Sequence, residues 1–398
     1  MEKDLIPDLL PAGAEDDELL QLLQRHYGSA RSTPENDVIY PNTEKFALRV
    51  HCKSGKIKEI EPGPGFSKEE LATLKAKVAS QLVASPATKI ERAILFSSHP
   101  VKGCYRSDAH LQMSEAPESA PKPAVMNADH PFVFEFPLRQ SSDPFITIQR
   151  RSRQTLEWTW FLNAVLRTRI KAIGPRADYH WVASLSGNRV PTQADVIWGQ
   201  DFYTIDGFKT QDDRFSACDD PHIAKIPFRE YYAVAAYRWE EFVVPDNLDA
   251  LIKAFANLNP EDRFRFLRAC QWVYVAYAHW VTHASSFYIA LVAAIESLLP
   301  AAPASEKCPA CSRDKGPGPT QLFQEFVEAH TKSETASNRK PLYALRSKLA
   351  HGGGLLQLDE RPWAFSFNTS ALQERESWTE LYNVVREVLI SWLLRHGN

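Results

Sequence analysis

Cysteine is scarce in this chain: six in 398 residues, namely Cys52, Cys104, Cys218, Cys270, Cys308 and Cys311. That is too few and too scattered for a disulfide framework in a protein of this size, so most are expected to be reduced and buried. A secretory leader is not expected either, because MEKDLIPDLLPAGAEDDELLQLL is acidic and has no basic stretch ahead of an uninterrupted apolar core. Nor is there a long hydrophobic run. The most apolar region, residues 269–299, is interrupted by Gln271, His279, Thr282, His283, Ser285, Ser286 and Glu296, which fits buried helices and not a membrane span. The net charge of −3 rules out attraction of phosphate by the molecule as a whole, so any nucleic-acid binding must come from a local basic patch. These absences give the expectation of a cytoplasmic protein with no membrane partner.

What is present is ordinary globular composition, 44% hydrophobic and 24% charged, at a length that suits two or three units. Residues 16–27 read as a short helix. FALRVHCKSGKIKEIEP alternates around a Ser-Gly turn, the pattern of a hairpin, and SKEELATLKAKVASQLVAS opens like a capping box and continues as a helix. Strand-like runs follow at ERAILFSS, FVFEFPLR, DPFITIQR and DVIWGQDFYTIDGF, and residues 113–131, rich in Pro, Ala and Ser, read as an exposed loop. The character changes at VVPDNLDALIKAF, beyond which helices are expected at about 246–257, 260–281, 284–299, 319–331, 339–351 and 371–395.

The expected fold class is α+β: a mixed α/β domain over residues 1–244, without internal repeats and of illegible role, followed by an all-α bundle over 245–398. In the last helix Trp378, Leu381, Val384, Val385, Val388, Leu389, Trp392 and Leu393 recur at three- and four-residue steps, the stripe a bundle buries. Helices 260–281 and 284–299 are apolar on more than one face, which calls for neighbours on two sides or a second copy of the chain.

The stretch LYALRSKLAHGGG, residues 342–354, carries the chemistry. At 100° per residue Leu342, Leu345 and Leu349 share one face, while Tyr343, Ser347 and Ala350 lie opposite. Arg346 and His351 flank that second face roughly 140° apart, a cation on one lip of a groove and a titratable ring on the other. Gly352, Gly353 and Gly354 supply the positive φ that ends a helix, leaving His351 in the last turn or at the cap. A histidine beside a guanidinium can cleave RNA without metal: the ring moves a proton at the 2′-hydroxyl or the leaving oxygen, and the arginine stabilises the phosphorane. The spacing alone is a weak signal, since Arg92 and His99 in RAILFSSH repeat a similar gap on a strand.

RSKLAHG, with Tyr343 three residues before the arginine, resembles the R-x4-6-H signature of the HEPN superfamily, and most of all its Apea-like branch, in which an RS…HG segment ends a helix. FYIALVAAIESLLP is similar to the Glu-bearing helix that precedes the motif there, and the likeness covers about residues 245–398. It implies a helical bundle that dimerises with the motif helices facing across a cleft, and a metal-independent endoribonuclease of bacterial toxin or anti-phage systems that needs no cofactor. On that resemblance Arg346 and His351 are the catalytic pair, Ser347 the polar residue after the arginine, and Tyr343 and Glu296 supporting groups. The implied partners are RNA, a second copy of the chain, and an antitoxin or trigger ligand at the N-terminal domain. Other members of the superfamily are inactive and serve only to dimerise or to bind RNA or nucleotide, which is the alternative reading. Glu296 in an apolar helix also has a structural reading, as an ion pair with Arg346 or Arg268.

Two further groupings stand out. Cys308 and Cys311 in EKCPACSRDKGPGP are half the ligand set of a structural zinc; His330 or a dimer's second pair could complete it, and free loop thiols are the other reading. Arg150, Arg151, Arg153, Arg167, Arg169 and Lys171 surround Trp158 and Trp160, a mixture that can bind single-stranded RNA or form a solvated helix face with its tryptophans in the core.

Overall fold

A computed structural model describes residues 9–11, 14–34, 37–40, 47–53, 56–64, 66–83, 88–120, 129–172, 179–183, 196–200, 205–219, 221–233, 239–279, 282–300, 317–331, 340–360 and 369–397. The fold is α+β. By packing, the chain divides into two compact units: Met1–Glu91 with Phe136–Gln154 and Thr210–Phe215, and Arg92–Glu135 with Thr155–Lys209 and Ser216–Asn398.

In the first unit α1 (Asp16–Tyr27) precedes a four-stranded antiparallel sheet in chain order, β1 (Arg31–Ser32), β2 (Val38–Tyr40), β3 (Leu48–Lys53) and β4 (Lys56–Pro62). The β3/β4 pair is the expected hairpin, with Val50 opposite Ile60. α2 (Lys68–Leu82) starts as its sequence dictates: the Glu70 N–H donates to Ser67 Oγ at 3.1 Å and the Ser67 N–H donates to the Glu70 carboxylate at 2.7 Å. Leu19, Leu22 and Leu23 of α1 join Leu48, Val50, Leu74 and Val78 in one core.

DPFITIQR departs from expectation. It is the first part of α3 (Pro144–Val165), not a strand. Phe145, Ile146, Thr147 and Ile148 have the β-branched look of a strand, but Asp143 Oδ1 accepts the Phe145 N–H at 2.9 Å and Pro144 takes the first helical position, so the start signal outweighs propensity.

β6 (Cys104–Ser107), β7 (Leu111–Glu115) and β8 (His130–Arg139) follow β5 (Thr88–Ser97) and pair as an antiparallel meander, Met113 standing opposite both Tyr105 and Phe134; residues 92–97 of β5 and 130–135 of β8 belong with β6 and β7 to the second unit. Met113 to Glu115, expected in a loop, are therefore strand; residues 121–128 of that stretch lie outside the described residues. β9 (Ile170–Ala172) pairs with Leu95–Ser97 of β5, and β10 (Tyr179–Ala183) with β11 (Val196–Gln200). Smaller pieces are β12 (Gln211–Asp212, in the first unit), β13 (Lys225–Ile226), α4 (Phe228–Ala233) and β14 (Val244–Pro245).

Cys104 and Cys218 form a disulfide, which corrects the expectation of reduced thiols for these two. The cause is backbone placement that no cysteine spacing reveals: the Cys104 N–H donates to the Pro221 carbonyl and the Ile223 N–H to the Cys104 carbonyl, so a distant segment runs beside β6. Cys270 is buried and free, Cys52 half-buried and free.

The remaining helices are α5 (Leu248–Asn257), α6 (Pro260–His279), α7 (Ala284–Glu296), α8 (Pro319–His330), α9 (Lys340–Ala350), α10 (Gln357–Glu360) and α11 (Thr369–His396). Except for the one-turn α10 they match the sequence spans within a few residues. The stripe on α11 is buried from Leu381 to Leu393, with Trp378 half-buried. The cut at 244/245 is not where packing divides the chain. Phe161 of α3 stacks on Phe255 of α5 at 4.6 Å, Trp158 meets Phe255 edge-on at 5.4 Å, and Phe266 of α6 stacks on Trp392 of α11 at 5.7 Å. The C-terminal half of α3 thus belongs to the helical core. No helix among the described residues is long and apolar enough to cross a membrane.

Candidate active site

The site is built on α7 and α9. Tyr288 donates its hydroxyl to the Leu342 carbonyl at 2.8 Å and so ties the start of α9 to α7. Leu342 and Leu349 are buried as their spacing requires, and Leu345 is half-buried. Tyr343, expected on the open face, is instead buried, its ring 4.9 Å from that of Phe323 on α8. A large aromatic one residue from the leucine stripe widens that stripe when a third helix covers it.

Glu296, the last residue of α7, gathers the polar groups. Arg346 Nη2 donates to Glu296 Oε2 at 2.8 Å and the Tyr343 hydroxyl to Oε1 at 3.2 Å, while the guanidinium lies 5.6 Å from the Tyr343 ring centre. Of the two structural pairings open to Glu296, the one with Arg346 forms. Burial, followed by the Glu296 carboxylate, raises the Tyr343 pKa, so the phenol stays a donor. The Arg346 side chain keeps 26% of its surface exposed, and its Nε has no partner among the described residues.

His351 is exposed, one residue beyond α9. Its N–H donates to the Ser347 carbonyl at 3.1 Å; Ser347 itself is half-buried. The glycine stop has the form the sequence requires: Gly352 has φ +71°, its N–H donates to the Leu349 carbonyl and the Gly353 N–H to the Lys348 carbonyl. These two bonds make a Schellman motif with His351 as its cap residue. A Cβ at Gly352 meets open space, so Gly352→Ala is expected to cost only the left-handed backbone penalty, about 1–2 kcal/mol, in urea unfolding. A variant as stable as the parent would show that the motif does not hold the end of α9.

The chain after the glycines is tied back to the start of α7, where Asp359 accepts the Ala284 and Ser285 N–H groups at 2.8 and 2.7 Å. Arginine and histidine are therefore carried on a helix fixed at both ends of α7, with Arg346, Tyr343 and Glu296 in contact and His351 at the solvent-facing cap. Such an arrangement can present an oriented guanidinium and a mobile imidazole.

No protein-family model, curated protein or solved structure matches the chain.

The decoy pair is committed to structure. Arg92 donates to Glu135 at 2.5 Å and to Ser216, and His99 bonds Ser98 and Thr168, with burial and then His130 lowering its pKa. The basic cluster does not form the phosphate-facing row its composition suggests. Arg150 binds Glu18, Arg151 binds Glu91, Arg153 binds Glu18 and Asp17, and Arg169 and Lys171 share Asp129. Arg167 is buried, its N–H donating to the Tyr231 hydroxyl and its side chain to the Tyr232 carbonyl. Trp158 is in the core and Trp160 half-buried. Carboxylates and carbonyls close in space, though remote in sequence, take up these cations.

Cys308 and Cys311 lie outside the described residues, and among the described residues no cluster of three metal-ligating side chains occurs. His330, the candidate third zinc ligand, is buried against Phe326 and within 3.3 Å of Ser391 Oγ. Burial, then the charges of Arg395 and His396, hold its pKa down at about 4. A histidine kept neutral by the fold stabilises it above its unfolded pKa of 6.5, and that stability is lost as pH falls towards 4. Unfolding free energy is expected to drop by about 2 kcal/mol more in the parent than in His330→Gln between pH 7 and about 4.5. Parallel pH profiles would contradict this.

Proposed function

We propose that the protein is a metal-independent endoribonuclease of the HEPN type, acting as a homodimer, in which Arg346 and His351 work on RNA with Glu296 and Tyr343 as positioning groups. The observation that carries this reading is an exposed histidine capping the C-terminus of the helix that bears an arginine whose guanidinium is held by Glu296 at 2.8 Å. The histidine takes the 2′-hydroxyl proton, the 2′-oxygen bonds to phosphorus, and the P–O5′ bond breaks as the 5′-oxygen takes a proton from solvent water, the imidazolium then returning its proton to solvent. The arginine stabilises the charge that builds on the phosphorane. Exposed Phe264 and Trp272 on α6 offer a second copy apolar surface close to this bundle's core helices. By the same resemblance the role is a toxin or anti-phage one in the cytoplasm, with an antitoxin or trigger ligand acting on the rest of the chain.

The second reading is a non-catalytic module for dimerisation or for binding RNA or nucleotide, and one observation favours it: Glu296 already neutralises Arg346. Full-length protein incubated with total RNA in EDTA separates the two. Fragments ending in 2′,3′-cyclic phosphate are expected; RNA that is bound yet left intact would favour the module.

A further inference from the structure

Beside α4, α8 and α11 lies a cleft of about 830 Å³, a size that suits a small ligand. Four arginines line it, Arg167, Arg229, Arg386 and Arg395, against the single carboxylate of Glu387. With Glu387 set against one guanidinium, an excess of positive charge remains.

Arg386 is the informative residue. It sits within the apolar stripe of α11 at 3% exposure, where a charge is costly to bury. Among the described residues its hydrogen-bond partners are neutral oxygens: the Leu166 and Asn163 carbonyls and the Tyr277 and Tyr382 hydroxyls. Its Nε has no hydrogen-bond partner among the described residues. Although burial opposes charge, the surrounding tyrosines raise its pKa, so it stays protonated. Arg167 also lines the cleft, and its pKa is lowered by burial and then by the Arg386 charge, so the two guanidiniums repel each other. His330 in the same lining is neutral and adds no charge. Tyr232, Ile390 and Leu394 add apolar surface to the lining, the last two on the same face of α11 as Arg386.

We propose that this cleft is a binding site for a small organic phosphate bearing at least two negative charges, held by Arg386 and Arg167 inside and by Arg229 and Arg395 at the rim. Planar guanidiniums suit phosphate oxygens, and an anion bound between Arg386 and Arg167 offsets their mutual repulsion. A polymer backbone fits less well, because it tracks an open groove and cannot bring its phosphates to a guanidinium that is 3% exposed. The site is separate from Arg346 and His351 and does not depend on the nuclease reading.

Inorganic pyrophosphate serves as the probe, with citrate as a carboxylate of comparable charge, in calorimetric titrations of full-length protein. One pyrophosphate per chain is expected, in the micromolar range, with citrate at least tenfold weaker. Arg229 and Arg395 are exposed, so the double variant Arg229→Gln/Arg395→Gln is expected to keep the parent's melting temperature without ligand and to lose at least tenfold in affinity. No pyrophosphate binding at millimolar concentration, equal binding of citrate, or full affinity in the double variant would each overturn the proposal. So would a single-stranded RNA whose binding is lost in that variant and is unaffected by pyrophosphate.

Discussion

Replacing Glu18 with alanine is expected to lower the unfolding free energy by about 3–5 kcal/mol, among the largest effects of any single change in the first unit. Glu18 is fully buried on α1. Its Oε1 accepts from Arg150 Nε at 3.0 Å and Arg153 Nη2 at 3.2 Å, and its Oε2 from Arg150 Nη2 at 2.8 Å. Arg150 is itself buried and also donates to the Leu82 carbonyl at 2.7 Å and the Gln140 carbonyl at 3.5 Å. Removing the carboxylate leaves the Arg150 guanidinium buried without the one acid it pairs with among the described residues, and the desolvation cost then falls on the folded state alone. Urea unfolding followed by far-UV circular dichroism reads the effect, because every tryptophan lies outside the first unit's residues and fluorescence would miss it. The control is Glu18→Leu/Arg150→Met, which removes both charges at similar volume and is expected to recover most of the loss. A loss below about 1 kcal/mol for Glu18→Ala would mean that water reaches the pair.

That triad also marks where reading the sequence stopped. Periodicity and caps located α1, α2 and the C-terminal helices, because each depends on residues within one turn of one another: Ser67 with Glu70, Gly352 with Leu349. The Arg346–Glu296 contact is one of two structural alternatives the sequence offers, since an acid ending an apolar helix needs a cation and Arg346 of α9 and Arg268 of α6 are the two candidates. What the sequence hides are partners set by tertiary placement. Arg150 and Arg153 look like surface cations until Glu18, 132 residues before Arg150, is brought against them. Cys104 finds Cys218 across 114 residues. The seam between α3 and the helical core is equally invisible, because Trp158 and Phe161 have no local signal that tells a core aromatic of one unit from that of the next. Arg386 did carry a signal, a charge inside an apolar stripe, which points to a buried guanidinium without naming its partners.

Removing the imidazole at the end of α9 is expected to abolish RNA cleavage without loosening the protein, and this contrast decides whether the site is chemical or structural. His351→Ala deletes an exposed ring that has no side-chain partner among the described residues, while the cap it occupies is held by backbone bonds that alanine keeps. Its stability should stay within about 0.5 kcal/mol of the parent. The initial rate on a fluorogenic RNA should fall by about 10²–10⁴-fold, the usual worth of a proton-transfer group. Arg346→Ala should fall as far but for a mixed reason, since it also leaves Glu296 and Tyr343 without their partner. With both members of the ion pair about a quarter exposed, that part costs about 1 kcal/mol or less. Glu296→Ala resolves the mixture: it breaks the same contacts to Arg346 and Tyr343 but leaves the guanidinium in place, so a catalytic arginine retains more activity there than in Arg346→Ala, whereas a merely structural one loses as much in both. His351→Ala protein that still cuts at more than about a tenth of the parent rate would remove the imidazole from the mechanism, because no general acid or base is worth so little.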